Sequence, residues 1–157
     1  MRKQIIEQAF PAEGSHPGEW INTEELAQAE LSSEAEGYPI EAALSLRAGS
    51  GWRAGSPGPQ VIRLRFQNPF TLRGIHLLFE ELEQARTQEF VLSWRSAEEQ
   101  TGKQIVRQQY TFSPPGTTRQ TEAYQVDLRG VQVLELKIVP DIANASAYAS
   151  LLQLHLR

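Results

Sequence analysis

From Gln60 onward, apolar and polar side chains alternate with a period of two, the spacing of strands that bury one face. Ile62, Leu64 and Phe66 alternate with Val61, Arg63 and Arg65, and Asn68-Pro69 ends that run. The rhythm returns at Ile75, Leu77 and Phe79, and again at Phe90, Leu92 and Trp94. Val106, Tyr110 and Phe112 share a face with Gln108 as its polar exception, and Tyr124, Val126 and Leu128 form a set closed by Arg129-Gly130. Leu134, Leu136 and Ile138 precede Pro140, and Leu152, Leu154 and Leu156 alternate with Leu151, Gln153 and His155 at the end of the chain.

Before Gln60 the pattern is mixed. Asn22-Thr-Glu-Glu25 is a capping-box pattern that opens a helical turn, while Ala27, Ala29 and Leu31 alternate as in a strand running to about Ser33. The stretch from Tyr38 to Ser45 adds a second short helical turn, and residues 47–59 form a loop rich in glycine and proline. Pro11, Gly14, Pro17 and Gly18 break every period among residues 1–19, which are expected to form a poorly ordered lead-in to a single domain over residues 20–157.

Eight half-buried strands with almost no helix must cover their apolar faces with another sheet. The expected fold is therefore all-β, an eight-stranded antiparallel β-sandwich of jelly-roll type. The chain has 157 residues and no cysteine, which excludes disulfides, thiolate metal sites and a cysteine nucleophile. Its net charge of -4 is unevenly spread. Residues 1–50 hold nine glutamates against Arg2, Lys3 and Arg47, for -6, so the remainder carries +2. The start of the chain lacks the apolar core of a signal peptide, and no window approaches a membrane span, so a cytoplasmic location is expected.

The catalytic inventory is thin. His16, His76 and His155 lack the spacing of a helical zinc pair, and His76 and His155 fall on the polar faces of their strands, where solvent-facing histidines are expected. Asp127 and Asp141 are the only aspartates, too few for a clustered cation site. Gly49-Ser-Gly-Trp-Arg-Ala54 fits the dinucleotide-binding turn formally, but Gly55, Pro57, Gly58 and Pro59 forbid the helix that the turn needs. Glu80-Glu-Leu-Glu83 offers paired carboxylates for glycoside chemistry, set against the plainer reading of an acidic loop paired with Arg86. No catalytic residue, metal or cofactor is expected.

Ile40-Glu-Ala-Ala-Leu44, the Gly-rich loop with Trp52, the strands from Gln60 and Leu72, Thr87-Gln-Glu-Phe-Val-Leu-Ser93, and the closing pair Leu134 to Pro140 and Leu152 to Leu156 resemble the discoidin, or coagulation-factor C-type, domain of the galactose-binding-like superfamily. The resemblance runs from residue 27 to 157 and rests on order and spacing. It implies a jelly roll whose end loops bind sugars, lipid head groups or protein surfaces without catalysis. The missing cysteines depart from extracellular members. Ser45-Leu46-Arg47 stands where some members place an acidic residue for calcium. A weaker resemblance, through Gly51-Trp-Arg-Ala54 and the Gln60 strand, is to the amino-terminal domain of a single-strand-break repair scaffold of the same fold. The acidic total speaks against nucleic acid as a partner.

The expected function is thus a non-catalytic module for a carbohydrate or other polar ligand. The alternative is a protein-interaction or scaffold domain that uses an outer face carrying Arg63, Arg65 and Arg73, for which the competing reading is a solvated face paired with Glu135. End loops supply the candidate ligand-binding residues. Trp52 offers a broad apolar face, unless it anchors the core, and Arg53 a five-donor fork. Thr117 and Arg119 follow the Pro114-Pro115 loop, and Glu80, Arg86 and Asp141 complete a polar pocket if the loops converge.

Overall fold

The computed structural model describes residues 20–157; the lead-in expected over residues 1–19 lies outside the described residues. Two short helices, α1 (Thr23–Leu26) and α2 (Ile40–Leu44), flank β1 (Ala27–Leu31). Then come β2 (Trp52–Arg53), β3 (Gln60–Glu80), β4 (Arg86–Arg95), β5 (Lys103–Phe112), β6 (Arg119–Val139), β7 (Ser150–Leu151) and β8 (Gln153–Leu156). The expected turn-then-strand at residues 22–33 and the helical turn after Tyr38 are both present. No helix among the described residues is long and apolar enough to cross a membrane.

The strands are partitioned differently from the sequence reading. Asn68-Pro69 and Arg129-Gly130 do not end strands: β3 and β6 are single strands of 21 residues each that run through them. Both bend at the same level, where the register shifts between Arg65 and Gly74 on one strand and between Val133 and Gln125 on the other. Proline is tolerated there because a bulge has no ladder bond for its missing N–H to make. The Gln132 side-chain amide donates to the Phe66 carbonyl at this corner. The bend carries each strand from one layer of the sandwich to the other. Residues 60–65 of β3 lie between β1 and residues 133–138 of β6, which pair in turn with β4 and β4 with β5. Residues 74–80 of β3 instead lie between β8 and residues 119–125 of β6. All pairings are antiparallel.

Between the layers lies one hydrophobic core, into which the alternating positions Ile62, Leu64, Phe66, Ile75, Leu77, Phe79, Phe90, Leu92, Leu134, Leu136 and Ile138 all project. Phe79 from one layer meets Phe90 from the other at 5.3 Å between ring centroids. The final strand departs from the expected phase. A bend at Leu152 breaks the alternation, so Leu151 is buried with Leu154 and Leu156 while Leu152 is half-buried. His155 is not solvent-facing either. It is buried, its Nε2 donates to the Ser45 carbonyl at 2.8 Å, and its ring stacks on His76 beneath Trp20, because residues 20–21 and the end of α2 cover this face of β8.

Candidate functional site

The corners of β3 and β6 close one end of the sandwich with continuous backbone, and the opposite end is left to loops. Glu80 at the end of β3, Arg86 at the start of β4 and Arg119 at the start of β6 all reach this open end, as the pairings Glu80↔Arg119 and Arg86↔Phe112 require. A cleft of 910 Å³ opens there, walled by three segments: Glu34 to Tyr38 with Arg53 beside them, Glu80 to Arg86, and Ser146 to Ser150.

The β3–β4 loop is shaped by its own carboxylate. Glu81 Oε2 accepts hydrogen bonds from the backbone N–H groups of Glu83, at 2.9 Å, and Gln84, at 3.0 Å. Its other oxygen, Oε1, stands 3.2 Å from Arg86 Nη1, which also donates to the Tyr148 carbonyl at 2.9 Å. The Arg86 side chain is only 7% exposed, so its charge is held where water hardly reaches. Burial pushes this guanidinium below its ordinary pKa, and the carboxylates of Glu81 and Asp141 pull the other way. Its buried Nε makes no hydrogen bond among the described residues.

The other two walls are pinned by backbone contacts. Ala54 N–H donates to the Ala149 carbonyl and Gly58 N–H to the Ala147 carbonyl, both at 2.9 Å, which fixes the segment around Tyr148. The Tyr148 side chain faces solvent, with 53% of the residue exposed. The Arg53 guanidinium lies 4.3 Å from the centroid of the Tyr38 ring, a cation–π contact. Glu34 Oε2 accepts from the Ile40 N–H at 2.7 Å and so holds the start of α2 against the cleft.

Of the residues expected to bind ligand, Arg53, Glu80 and Arg86 line this cleft. Arg119 stands beside it, its Nε donating to Glu80 Oε2 at 3.0 Å. Thr117 and Asp141 are outside it. The Thr117 hydroxyl accepts from Ser113 N–H and closes the Pro114-Pro115 turn, and Asp141 Oδ1 accepts from Ala143 N–H. Trp52 is fully buried and presents no face to a ligand: its indole N–H donates to the Ser33 carbonyl at 3.2 Å, and its strand partner is Leu151. The exposed aromatic at the site is Tyr148, which the period-two pattern passes over because it lies outside any strand. A lone aromatic among Ala, Ser and Asn residues is the signal that marks it.

Two carboxylates of the acidic loop are paired. Glu80 is engaged by Arg119, and Glu81 by Arg86 and two backbone N–H groups. Among the described residues no group of three or more His, Cys, Asp or Glu gathers to hold a metal ion. On the outer face, Arg63 bridges Glu30, at 3.0 Å, and Glu135, at 2.9 Å, and Arg65 reaches Glu30 at 2.8 Å. Of the basic stripe read from the sequence, Arg63 and Arg65 are therefore cross-paired, with Glu135 the expected neighbour of Arg63, while Arg73 stands 3.7 Å from Asp127.

No protein-family model and no curated protein matches the chain. Solved structures do. The chain is similar to a family 32 carbohydrate-binding module from Clostridium perfringens in complex with GalNAc-β-1,3-galactose, with a TM-score of 0.62, 12% identity, and coverage of 87% of this chain and 98% of that one. It is also similar to the corresponding module of AlyQ in complex with 4,5-unsaturated mannuronic acid, with a TM-score of 0.57, 16% identity and coverage of 84% and 95%. An F5/8 type C domain from Bacteroides fragilis gives 0.58 and 15% over 89% and 97%. The strand order, the bent long strands and these matches over most of the chain give the protein the discoidin-type, galactose-binding-like β-sandwich fold.

Proposed function

We propose that the protein is a non-catalytic carbohydrate-binding module whose ligand lies in the cleft at the open end of the sandwich. The observation that carries this reading is the exposed ring of Tyr148 in a cleft whose backbone is anchored by the buried Arg86. A sugar presents an apolar face of C–H groups and an edge of hydroxyls. An exposed aromatic beside fixed carboxylate and guanidinium groups matches both. Because Arg86 holds the Tyr148 carbonyl, the platform is set before ligand arrives, which lowers the ordering cost of binding. Similarity to modules solved with bound sugars supports the same reading.

The test is a glycan array followed by calorimetric titration of the best hit against wild type and Tyr148→Ala. Tyr148→Ala is expected to weaken binding roughly tenfold, the scale of an aromatic hot spot, with an unchanged melting temperature because the side chain is largely exposed. No glycan binding, or binding indifferent to Tyr148→Ala, would overturn the proposal.

A further inference from the structure

A second concavity, of 450 Å³, lies on the outer face of the layer ordered β1-β3-β6-β4-β5 and shares no lining residue with the cleft. Antiparallel register builds it. Val133 of β6 stands opposite Arg65 of β3 on one side and Arg95 of β4 on the other, and residues directly opposite share a face of the sheet. Two strand spacings, about 9.5 Å, therefore separate the backbones of the two arginines. The small, buried Val133 lies between them. Ser93 lines the same concavity, and Gln100 and Gly102 bring the β4–β5 loop to it.

The guanidiniums around this concavity are not equally engaged. Arg63 spends all three nitrogens, Nε and Nη2 on Glu135 and Nη1 on Glu30. Arg65 gives only its Nε to Glu30, at 2.8 Å. Arg95 gives only its Nη1, to the Glu99 carbonyl at 3.1 Å, and meets no carboxylate among the described residues. Both terminal nitrogens of Arg65, and Nε and Nη2 of Arg95, are left over on half-exposed side chains, where they are open to solvent. Glu135, the lining carboxylate, is held by Arg63. Two donor forks therefore flank one spot from opposite sides.

An oxyanion is the group that guanidinium forks recognise by paired hydrogen bonds. The two oxygens of a carboxylate lie in one plane and saturate a single fork, whereas a tetrahedral sulfate or phosphate group turns oxygens toward both. Other cations toward the corners are already spent. Lys103 lies 3.0 Å from Glu99, and Arg129 and Arg73 lie 3.6 and 3.7 Å from Asp127. The open cations thus mark one spot, not the track that a nucleic-acid backbone needs. We infer that this concavity is a second binding site, independent of the cleft, for one tetrahedral oxyanion held by Arg65 and Arg95 over Val133. Its ligand class is sulfate or phosphate, as the free ion or as a monoester on a small molecule.

The experiment is a nuclear magnetic resonance titration of the ¹⁵N-labelled protein with sulfate, phosphate, methyl sulfate and acetate, at an ionic strength held constant with sodium chloride. Resonances are the readout because sulfate raises the melting temperature of many proteins through exclusion from their surface. Sulfate and phosphate should give saturable shifts of the Arg65 and Arg95 Nε–H signals and of the Val133 amide. Acetate, which engages one fork, should bind about threefold to fivefold more weakly. Arg65→Gln and Arg95→Gln should each weaken sulfate by about the same factor, and the double variant should abolish saturation. Arg107→Gln, on the same face but paired with Glu89, should leave the titration unchanged. Methyl sulfate binding as well as sulfate would support the site with an ester as its ligand, and sulfate binding alone would support it with the free ion. Shifts that rise linearly without saturating, saturable shifts confined to other residues, acetate binding as tightly as sulfate, or a double variant that still saturates would each overturn the inference.

Discussion

Trp52 is the residue on which a surface role and a core role make opposite predictions. In the structure its ring is fully buried among Ala54, Leu151 and the rest of the core, and its N–H is spent on the Ser33 carbonyl. Replacing it by alanine removes a bicyclic ring from a close-packed site, which costs about 3–5 kcal/mol in transfer and cavity terms. It also strips the Ser33 carbonyl of its donor, about 1 kcal/mol more. The sum, about 4–6 kcal/mol, is comparable with the whole stability of many domains, about 5–15 kcal/mol. At about 2–4 °C per kcal/mol for a chain of this size, the melting temperature should fall by roughly 10–20 °C. Trp52→Phe keeps much of the packing and loses the hydrogen bond, so its loss should be a fraction of that. Urea unfolding followed by circular dichroism avoids reading the removed fluorophore. A Trp52→Ala protein that melts within about 1 kcal/mol of wild type yet loses ligand binding would refute the core assignment and restore Trp52 to the site.

Two further outcomes follow from local geometry. Gly51 has φ +74, and a Cβ there would stand 2.5 Å from the Leu151 carbonyl oxygen and 2.7 Å from the Leu152 Cα, both backbone atoms. Gly37, at φ +85, has nothing within 4 Å of the same added atom. Gly37→Ala should therefore cost only backbone strain, about 1–2 kcal/mol, and Gly51→Ala clearly more, because β7 must move; equal losses in urea titrations would show that the contact between β2 and β7 is unimportant. On the outer face, hydrogen bonds from Arg65 first and Arg63 second hold the Glu30 carboxyl below the usual carboxylate range. Its stabilising effect is complete above the unfolded value and is lost as the pH falls through the folded one. The stability gap between wild type and Glu30→Gln should thus close on acidification, and a gap that widens in acid would contradict the pairing.

The alternating runs carry the strand content and most of the core, since a side-chain period of two means one face buried wherever sheets stack. What the alternation cannot convey is whether two runs separated by Asn68-Pro69 or Arg129-Gly130 are two strands or one strand turning a corner. The same residues that terminate a ladder are the ones a bulge accepts. The phase of the last strand fails for a related reason: in Leu151-Leu152 both residues are apolar, so nothing in composition says which one points inward, and the bend at Leu152 decides it. That Arg53, Glu80 and Arg86 share the open end is legible because charged residues at strand ends gather at one end of a sandwich. The roles of Trp52 and Tyr148 are not legible, because a large aromatic outside the alternating runs reads alike whether it plugs the core or covers a ligand. The burial of His155 is not legible because the covering residues, Trp20 and Ser45, are far from it in sequence.

The uneven charge of the chain acquires a spatial meaning from the corner in β3 and β6. Since both long strands pass between layers at one end, their backbone crosses that end, beside the β4–β5 loop. Both strands start and finish at the opposite end, which is why Gln60, Glu80, Arg119 and Val139 lie there together with the start of β4. Three described glutamates of the acidic first third, Glu30, Glu34 and Glu36, are sorted by where β1 ends. Glu30, in β1, faces outward beside Arg63 and Arg65 and is neutralised there. Glu34 and Glu36, only a few residues later, have passed the end of β1 and stand at the cleft. One short segment thus both ties the edge strand to the sheet and charges the rim of the site. A net charge computed for the whole chain describes neither surface: Arg63 and Arg65 are spent on Glu30 and Glu135 at the sheet face, while at the cleft five lining glutamates face the two lining arginines Arg53 and Arg86.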